Sequence, residues 1–248
     1  MLLRFWTYRY IIAFVMITTM VILAGGKATR LYPLTETIPK SMLSLAGKPF
    51  IAHQMELIKR NDFQHVVICT GHLGHMIIDY VRKENDTVLS VDFSIDGDKP
   101  LGTAGAIKKA LPYLENNFSV MYGDSYLTDD FRPIADFFLK SGKKGLMTVF
   151  KNEGRWDFSN IFYKDGEIVK YDKNHLTQDM KHIDYGLLFF KKEAFAEILD
   201  QQTHDLADLC RDLVNEGQMA GYEVKQRFYE IGSIKGLEET RRYLQKLN

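Results

Sequence analysis

Arg30 and Lys40 are two fixed cations in a short stretch that also carries glycines and hydroxyls. The stretch, residues 21–49, reads VILAGGKATRLYPLTETIPKSMLSLAGKP. The run Met20-Val21-Ile22-Leu23-Ala24 has the continuous apolar character of a strand buried on both faces of a parallel sheet. Gly25-Gly26 end that strand, and Lys27-Ala28-Thr29-Arg30 make a basic, hydroxyl-bearing turn. Glycines let the backbone approach a ligand closely, and successive N–H groups can face phosphate oxygens. A strand, a Gly turn and two cations predict a polyphosphate cradle. No G-K-S/T closes it as in a Walker loop, and it is not a G-x-G-x-x-G fingerprint. A Gly-Gly pair after a strand is, by itself, also compatible with a tight strand exit.

The wider pattern is more specific. L-A-G-G-x-x-T-R-L-x-P-L-T, then P-K-x-M-L and G-K-P-F, resembles the opening signature of the sugar-1-phosphate nucleotidyltransferases. The resemblance covers most of residues 20–240. It continues through Leu101-Gly102-Thr103-Ala104-Gly105-Ala106, then Tyr122-Gly123-Asp124, and finally Tyr229-Glu230-Ile231-Gly232-Ser233. The wording looks closest to the heptose- or mannose-phosphate guanylyltransferase and N-acetylmuramate-phosphate uridylyltransferase-like branch. Two positions depart from the family pattern: Ala28 stands where Gly is usual, and Glu230 where Asp is usual.

The resemblance implies roles for particular residues. Leu23, Ala24, Gly25, Gly26, Lys27 and Thr29 would bind nucleotide, and Gly102 and Thr103 would lie against the base and ribose. Small residues there allow a flat base to pack on the backbone. Arg30 and Lys40 would be the catalytic cations, Arg30 toward the leaving pyrophosphate and Lys40 toward the α- or acceptor phosphate. Asp124 and Glu230 would hold Mg²⁺, which prefers one or two carboxylates plus phosphate oxygens. For the acceptor, Lys173 matches the lysine of the family's E-K-P segment, although the Pro is missing and Lys170 is the alternative. Asp184 and Gly186 match the next segment, which contacts sugar hydroxyls. A solvated surface charge is the ordinary place for either lysine.

These residues need elements to position them. Strand-like and helix-like runs alternate over roughly the first half. Residues 65–70 and 118–122 read as buried strands, and Leu89, Val91, Phe93 and Ile95 alternate as a third. Ile51, Met55 and Ile58, and later Ala104, Ile107, Leu111 and Leu114, fall at helical spacing. This order predicts an α/β fold: a Rossmann-like three-layer αβα sandwich with a mixed, mainly parallel central sheet. Ligands in such sheets sit at the carboxyl ends of the strands, where the Gly25 loop and Asp124 both fall. Lys164-Asp165-Gly166 between two strand-like runs signals a hairpin. We expect one domain over residues 20–248, with an acceptor-binding half inserted around residues 145–190.

Composition narrows the function classes. Of 248 residues, 32 are Lys or Arg and 32 Asp or Glu, which excludes the basic excess of a nucleic-acid binder. Cys69 and Cys210 lack metal spacing and read as buried thiols of a reducing, cytoplasmic compartment. The histidines lack the spacing of a metal site or of a nucleophile partner. Residues 1–19 carry Arg4 and Arg9 before an uncharged run and are expected to be an extension upstream of the fold, a membrane-surface segment being the other reading. The expected reaction joins a nucleoside triphosphate to a sugar 1-phosphate, with Mg²⁺ and without nucleic acid or membrane. A cytidylyltransferase for a non-sugar phosphate and a catalytically weak nucleotide-binding relative are the alternatives. A glycosyltransferase of the same general sheet type would need a D-x-D pair, and Asp124-Ser125-Tyr126 lacks the second Asp.

Overall fold

The residues 19–22 of the first strand are inaccessible to solvent on both faces, as the unbroken apolar run requires. This strand, β1 (Thr19–Ala24), is central in a seven-stranded sheet. The computed structural model describes residues 16–84, 89–97 and 99–247; of the extension expected over residues 1–19, residues 1–15 lie outside them and Thr19 already begins β1.

A small hairpin follows the phosphate-loop region, β2 (Ser44–Leu45) and β3 (Lys48–Pro49), and leads into α1 (Phe50–Arg60). Then come β4 (His65–Thr70), α2 (Gly74–Glu84), β5 (Ser90–Ile95), α3 (Gly102–Ala110) and β6 (Asn117–Tyr122). The short β7 (Ser125–Tyr126) precedes α4 (Arg132–Ser141) and β8 (Gly145–Phe150). The chain continues through β9 (Ile161–Lys164), β10 (Glu167–Tyr171), β11 (Ile183–Lys191), α5 (Leu206–Asn215) and β12 (Met219–Val224). It closes with β13 (Tyr229–Glu230) and α6 (Ile234–Gln245).

The sheet order is β12-β8-β11-β6-β1-β4-β5. β4, β1 and β6 run parallel, with Ala24 opposite Thr70 and Leu23 opposite Tyr122. β11 is antiparallel to both β6 and β8, so one reversed strand sits inside an otherwise parallel sheet. The sheet is therefore mixed and mainly parallel, with helices on both faces.

Two apolar clusters fill the two sides. Met20 and Ile22 point to the side covered by α1, α2, α4 and α6, with Phe50, Ile77, Phe138 and Leu237 in contact. Val21 points to the other, covered by α3, α5 and the β9–β10 hairpin, with Ile107, Leu209 and Ile168. The alternation follows from the period of two along a strand. Asp165 and Gly166 both have positive φ, as a two-residue hairpin turn demands.

The acceptor half expected around residues 145–190 is not set apart from the sheet. β8 and β11 are full members of it, and only the β9–β10 hairpin stands outside. A buried apolar strand reads alike whether it runs with or against its neighbours, so the sequence did not reveal this.

Candidate active site

The strand ends and loops at the carboxyl edge of β1, β4 and β6 enclose two cavities that share a wall. The first, about 260 Å³, takes Leu23, Ala24, Gly25 and Gly26 from the β1 loop and Lys40 and Ser41 from the turn beyond it. Gly102, Thr103 and Ala106 of α3 form its far side. The second, about 580 Å³, is lined by Arg30, Lys173, Asp184 and Glu230, and by the aromatics Trp156 and Phe158. Tyr122 and Asp124 line both.

Lys40 is placed by a single 3₁₀ turn, Lys40–Met42, which Pro39 opens. Its Nζ donates to Asp124 Oδ2 at 2.6 Å, both side chains being about one-quarter exposed or less. Asp124 stands two residues beyond the end of β6, and its carbonyl accepts from Ile231 N–H at 2.9 Å. β13 pairs with β7, Glu230 opposite Ser125, and so brings the late motif beside Asp124 despite their separation in sequence. A Cβ on Gly232 would stand 3.0 Å from Glu230 Oε2, 3.2 Å from Asp124 Oδ2 and 3.3 Å from Arg30 Nη2. Gly232 thus leaves room where two carboxylates and a guanidinium converge.

Glu230 has a second duty. Its Oε2 accepts from Ser233 N–H at 3.1 Å and from Gly232 N–H, and its Oε1 accepts from Ser233 Oγ at 2.6 Å. Ser233 is the N-cap of α6 and accepts from Gly236 N–H at 2.9 Å. The Glu230 carboxylate therefore sits against the positive end of that helix.

In the second cavity, Asp184 lies in β11 just before an irregularity in its pairing with β8. Gly186 there has φ +94, and a Cβ would stand 3.1 Å from Ser125 Oγ and 3.4 Å from the Tyr122 ring. Asp184 Oδ1 accepts from Gly186 N–H at 2.9 Å and Oδ2 from Tyr122 OH at 3.2 Å. Burial pushes the Asp184 carboxyl above its ordinary range, opposed mainly by the Lys173 charge. Lys173 Nζ stands 5.7 Å from the centre of the Tyr122 ring and 5.9 Å from that of Tyr171. Lys170, the alternative, is exposed on β10 and lines neither cavity.

The remaining sequence candidates are placed as follows. Lys27 and Thr29 line neither cavity, and Arg30 lines the second rather than the first. Ala28 adopts a left-handed conformation, φ 50 and ψ 42, which explains why Gly would suit it; an L-residue there costs about 1–2 kcal/mol. Its carbonyl is held by Thr35 Oγ1 at 2.9 Å. Thr103 lines the first cavity, but its hydroxyl accepts from Leu206 N–H at 2.7 Å and donates to Asp205 at 3.3 Å. Gly102 is packed against His204, whose carbonyl accepts from Ala104 N–H at 2.9 Å and Gly105 N–H at 3.2 Å. Of the residues given no role from sequence that also line the site, two stand out. Tyr122 is one. Asp96, at the carboxyl end of β5, is the other; it lines the first cavity, and burial raises its carboxyl. A carboxylate one residue beyond an expected strand was the available signal for Asp96.

The chain is similar to known proteins along most of its length. The mannose-1-phosphate guanylyltransferase catalytic subunit beta of Xenopus tropicalis is 28% identical over 220 residues, covering 86% of this chain and 61% of that protein. The UTP–glucose-1-phosphate uridylyltransferase of Synechocystis is 27% identical over 234 residues, covering 86% of this chain and 60% of that protein. The chain thus spans about three-fifths of the length of these curated relatives. Among solved structures, HddC from Yersinia pseudotuberculosis complexed with GMP-PN superposes with TM-score 0.78 at 26% identity, covering 92% of this chain and all of that one. The inositol-1-phosphate CTP transferase from T. maritima shares the fold, with TM-score 0.75 at 19% identity over 93% of this chain and 95% of that one. The family model described as nucleotidyl transferase matches residues 19–246, the span that builds the sheet and both cavities, and the chain belongs to that family.

Proposed function

We propose that the protein transfers a nucleotidyl group from a nucleoside triphosphate to a sugar 1-phosphate, giving a nucleotide-diphosphate sugar and pyrophosphate. The observation that carries this is the pair of cavities meeting at Asp124, with Lys40 on one side and Lys173 on the other. The first cavity takes the nucleotide, its phosphates on the Gly25-Gly26 loop and its base toward α3. The second takes the acceptor, its phosphate drawn by Lys173 and its hydroxyls by Asp184.

An oxygen of the acceptor phosphate attacks the α-phosphorus in line. The new P–O bond forms as the bond to the β-phosphate's bridging oxygen breaks, and the electron pair leaves with pyrophosphate. No proton need be removed, because the attacking phosphate is already ionised. The protein's part is positioning and charge neutralisation. Charge builds on the leaving pyrophosphate, on the nucleotide side, where Lys40 stands; Arg30 lines the second cavity and would meet the acceptor phosphate rather than the pyrophosphate that the resemblance implies for it.

Asp124 and Glu230 fit Mg²⁺: they are hard oxygen donors converging beside Gly232, at the boundary where the phosphates would meet. Among the described residues no group of three or more His, Cys, Asp or Glu could hold a metal, so substrate oxygens and water would complete the shell. When bound, the ion supplies neutralisation of phosphate charge. Lys40 shares Asp124 Oδ2 and would yield part of that contact to the ion.

The reaction is placed in the cytoplasm, in keeping with the buried free thiols. Among the described residues no helix is long and apolar enough to cross a membrane. The test is pyrophosphate release from GTP, UTP, CTP, dTTP and ATP against mannose 1-phosphate, glucose 1-phosphate and choline phosphate. Mannose 1-phosphate with GTP is the first pair to try, given the named relatives. Mg²⁺-dependent release with a sugar phosphate supports the proposal. Release only with choline phosphate favours the non-sugar alternative, and nucleotide binding without release favours a catalytically weak relative.

A further inference from the structure

Among the described residues, Tyr122 is the one aromatic that lines both cavities. It ends β6, and its backbone is fixed twice, by pairing opposite Leu23 and by Gln54 Nε2 donating to its carbonyl at 3.0 Å. The side chain therefore leaves the sheet from a rigid point. Its ring forms the shared wall, and its hydroxyl donates to Asp184 Oδ2 at 3.2 Å. The other Asp184 oxygen is held by Gly186 N–H at 2.9 Å. Both oxygens are thus oriented by protein donors, leaving their remaining lone pairs for acceptor hydroxyls. The same ring has Lys173 Nζ 5.7 Å from its centre. One side chain consequently touches both charged groups assigned to the acceptor. The left-handed Gly186 belongs to the arrangement: a Cβ there would crowd Ser125 Oγ at 3.1 Å and lie against the ring.

We propose that Tyr122 is a positioning residue that sets acceptor affinity, its hydroxyl orienting Asp184 and its ring holding Lys173 while walling off the nucleotide. This rests on the reading of the second cavity as the acceptor site.

Tyr122→Phe keeps the ring, hence the wall and the lysine contact, and removes only the hydroxyl. Steady-state kinetics are run with GTP and mannose 1-phosphate, and with UTP and glucose 1-phosphate. The expected result is a rise of about tenfold in KM for the sugar phosphate, the size of one hydrogen bond to a charged group. KM for the nucleotide stays unchanged and kcat changes little. In an Asp184→Asn background the same substitution adds no further rise, because its effect passes through that carboxylate. An unchanged acceptor KM, an equal loss toward the nucleotide, or full additivity with Asp184→Asn overturns the inference. Lys173→Ala separates the two levels. If it raises acceptor KM while Tyr122→Phe does not, the positioning role fails and the site reading stands. If neither raises it, or no pair turns over, the acceptor site itself is misplaced and the inference falls with it.

Discussion

Asp184 is a half-buried carboxylate whose charge is only partly offset by Lys173 and two hydrogen bonds. Its folded-state pKa is raised, so the fold prefers the protonated form. The cost of the charge is absent below the unfolded carboxyl range, about pH 4, and is complete above the raised folded value. Stability contributed at this position therefore falls as pH rises through that window. Asp184→Asn is expected to raise the urea midpoint at pH 7, with the gain shrinking toward pH 4, while acceptor KM rises. Asparagine can still accept from Gly186 N–H, so the loss is of charge more than of shape. A midpoint shift equal at both pH values would show that burial of the charge is not what the residue costs.

α3 shows how an element can serve the site through its packing. Its first turn faces the first cavity, yet two of its N–H groups are taken by His204 O. Gly102 has φ +71, and a Cβ would stand 2.5 Å from that same carbonyl. Gly142, after α4, has φ +69 with nothing near the added Cβ. Both glycines would pay the left-handed penalty as alanine, but only Gly102 would also push backbone apart. Gly102→Ala should therefore destabilise by about 1–3 kcal/mol more than Gly142→Ala, read from denaturant midpoints. Equal losses would mean the 202–204 segment yields freely. Much of this region was legible in sequence: the β1 loop, the alternation of strands and helices, and the Lys164-Asp165-Gly166 turn each carry their own local chemistry. What was not legible depends on distant pairing. The hydroxyl of Thr103 is spent on α5, about a hundred residues away, and β11 enters the sheet reversed. Neither leaves a local trace, because an apolar run has no direction and a threonine does not announce its partner.

Across the whole molecule, the last helix closes the first motif. β13 pairs with β7, Glu230 holds Ser233, the N-cap of α6, and the same carboxylate stands beside Asp124 and Arg30 around Gly232. A helix cap and a Mg²⁺ ligand are both reasonable uses of it, and two substitutions separate them. Ser233→Ala removes the N-cap and one contact to Glu230 but keeps the carboxylate. Glu230→Gln keeps the length and removes the charge. Each should destabilise the protein by about 1 kcal/mol, the usual weight of a cap. Only Glu230→Gln should raise the Mg²⁺ concentration needed for half-maximal pyrophosphate release, and Glu230→Asp should be milder. Asp124→Asn should be more damaging than either, since that carboxylate also holds Lys40 at the point where both cavities meet. If Ser233→Ala and Glu230→Gln shift the Mg²⁺ dependence alike, or if neither does, Glu230 serves the helix alone and Asp124 carries the ion with substrate oxygens.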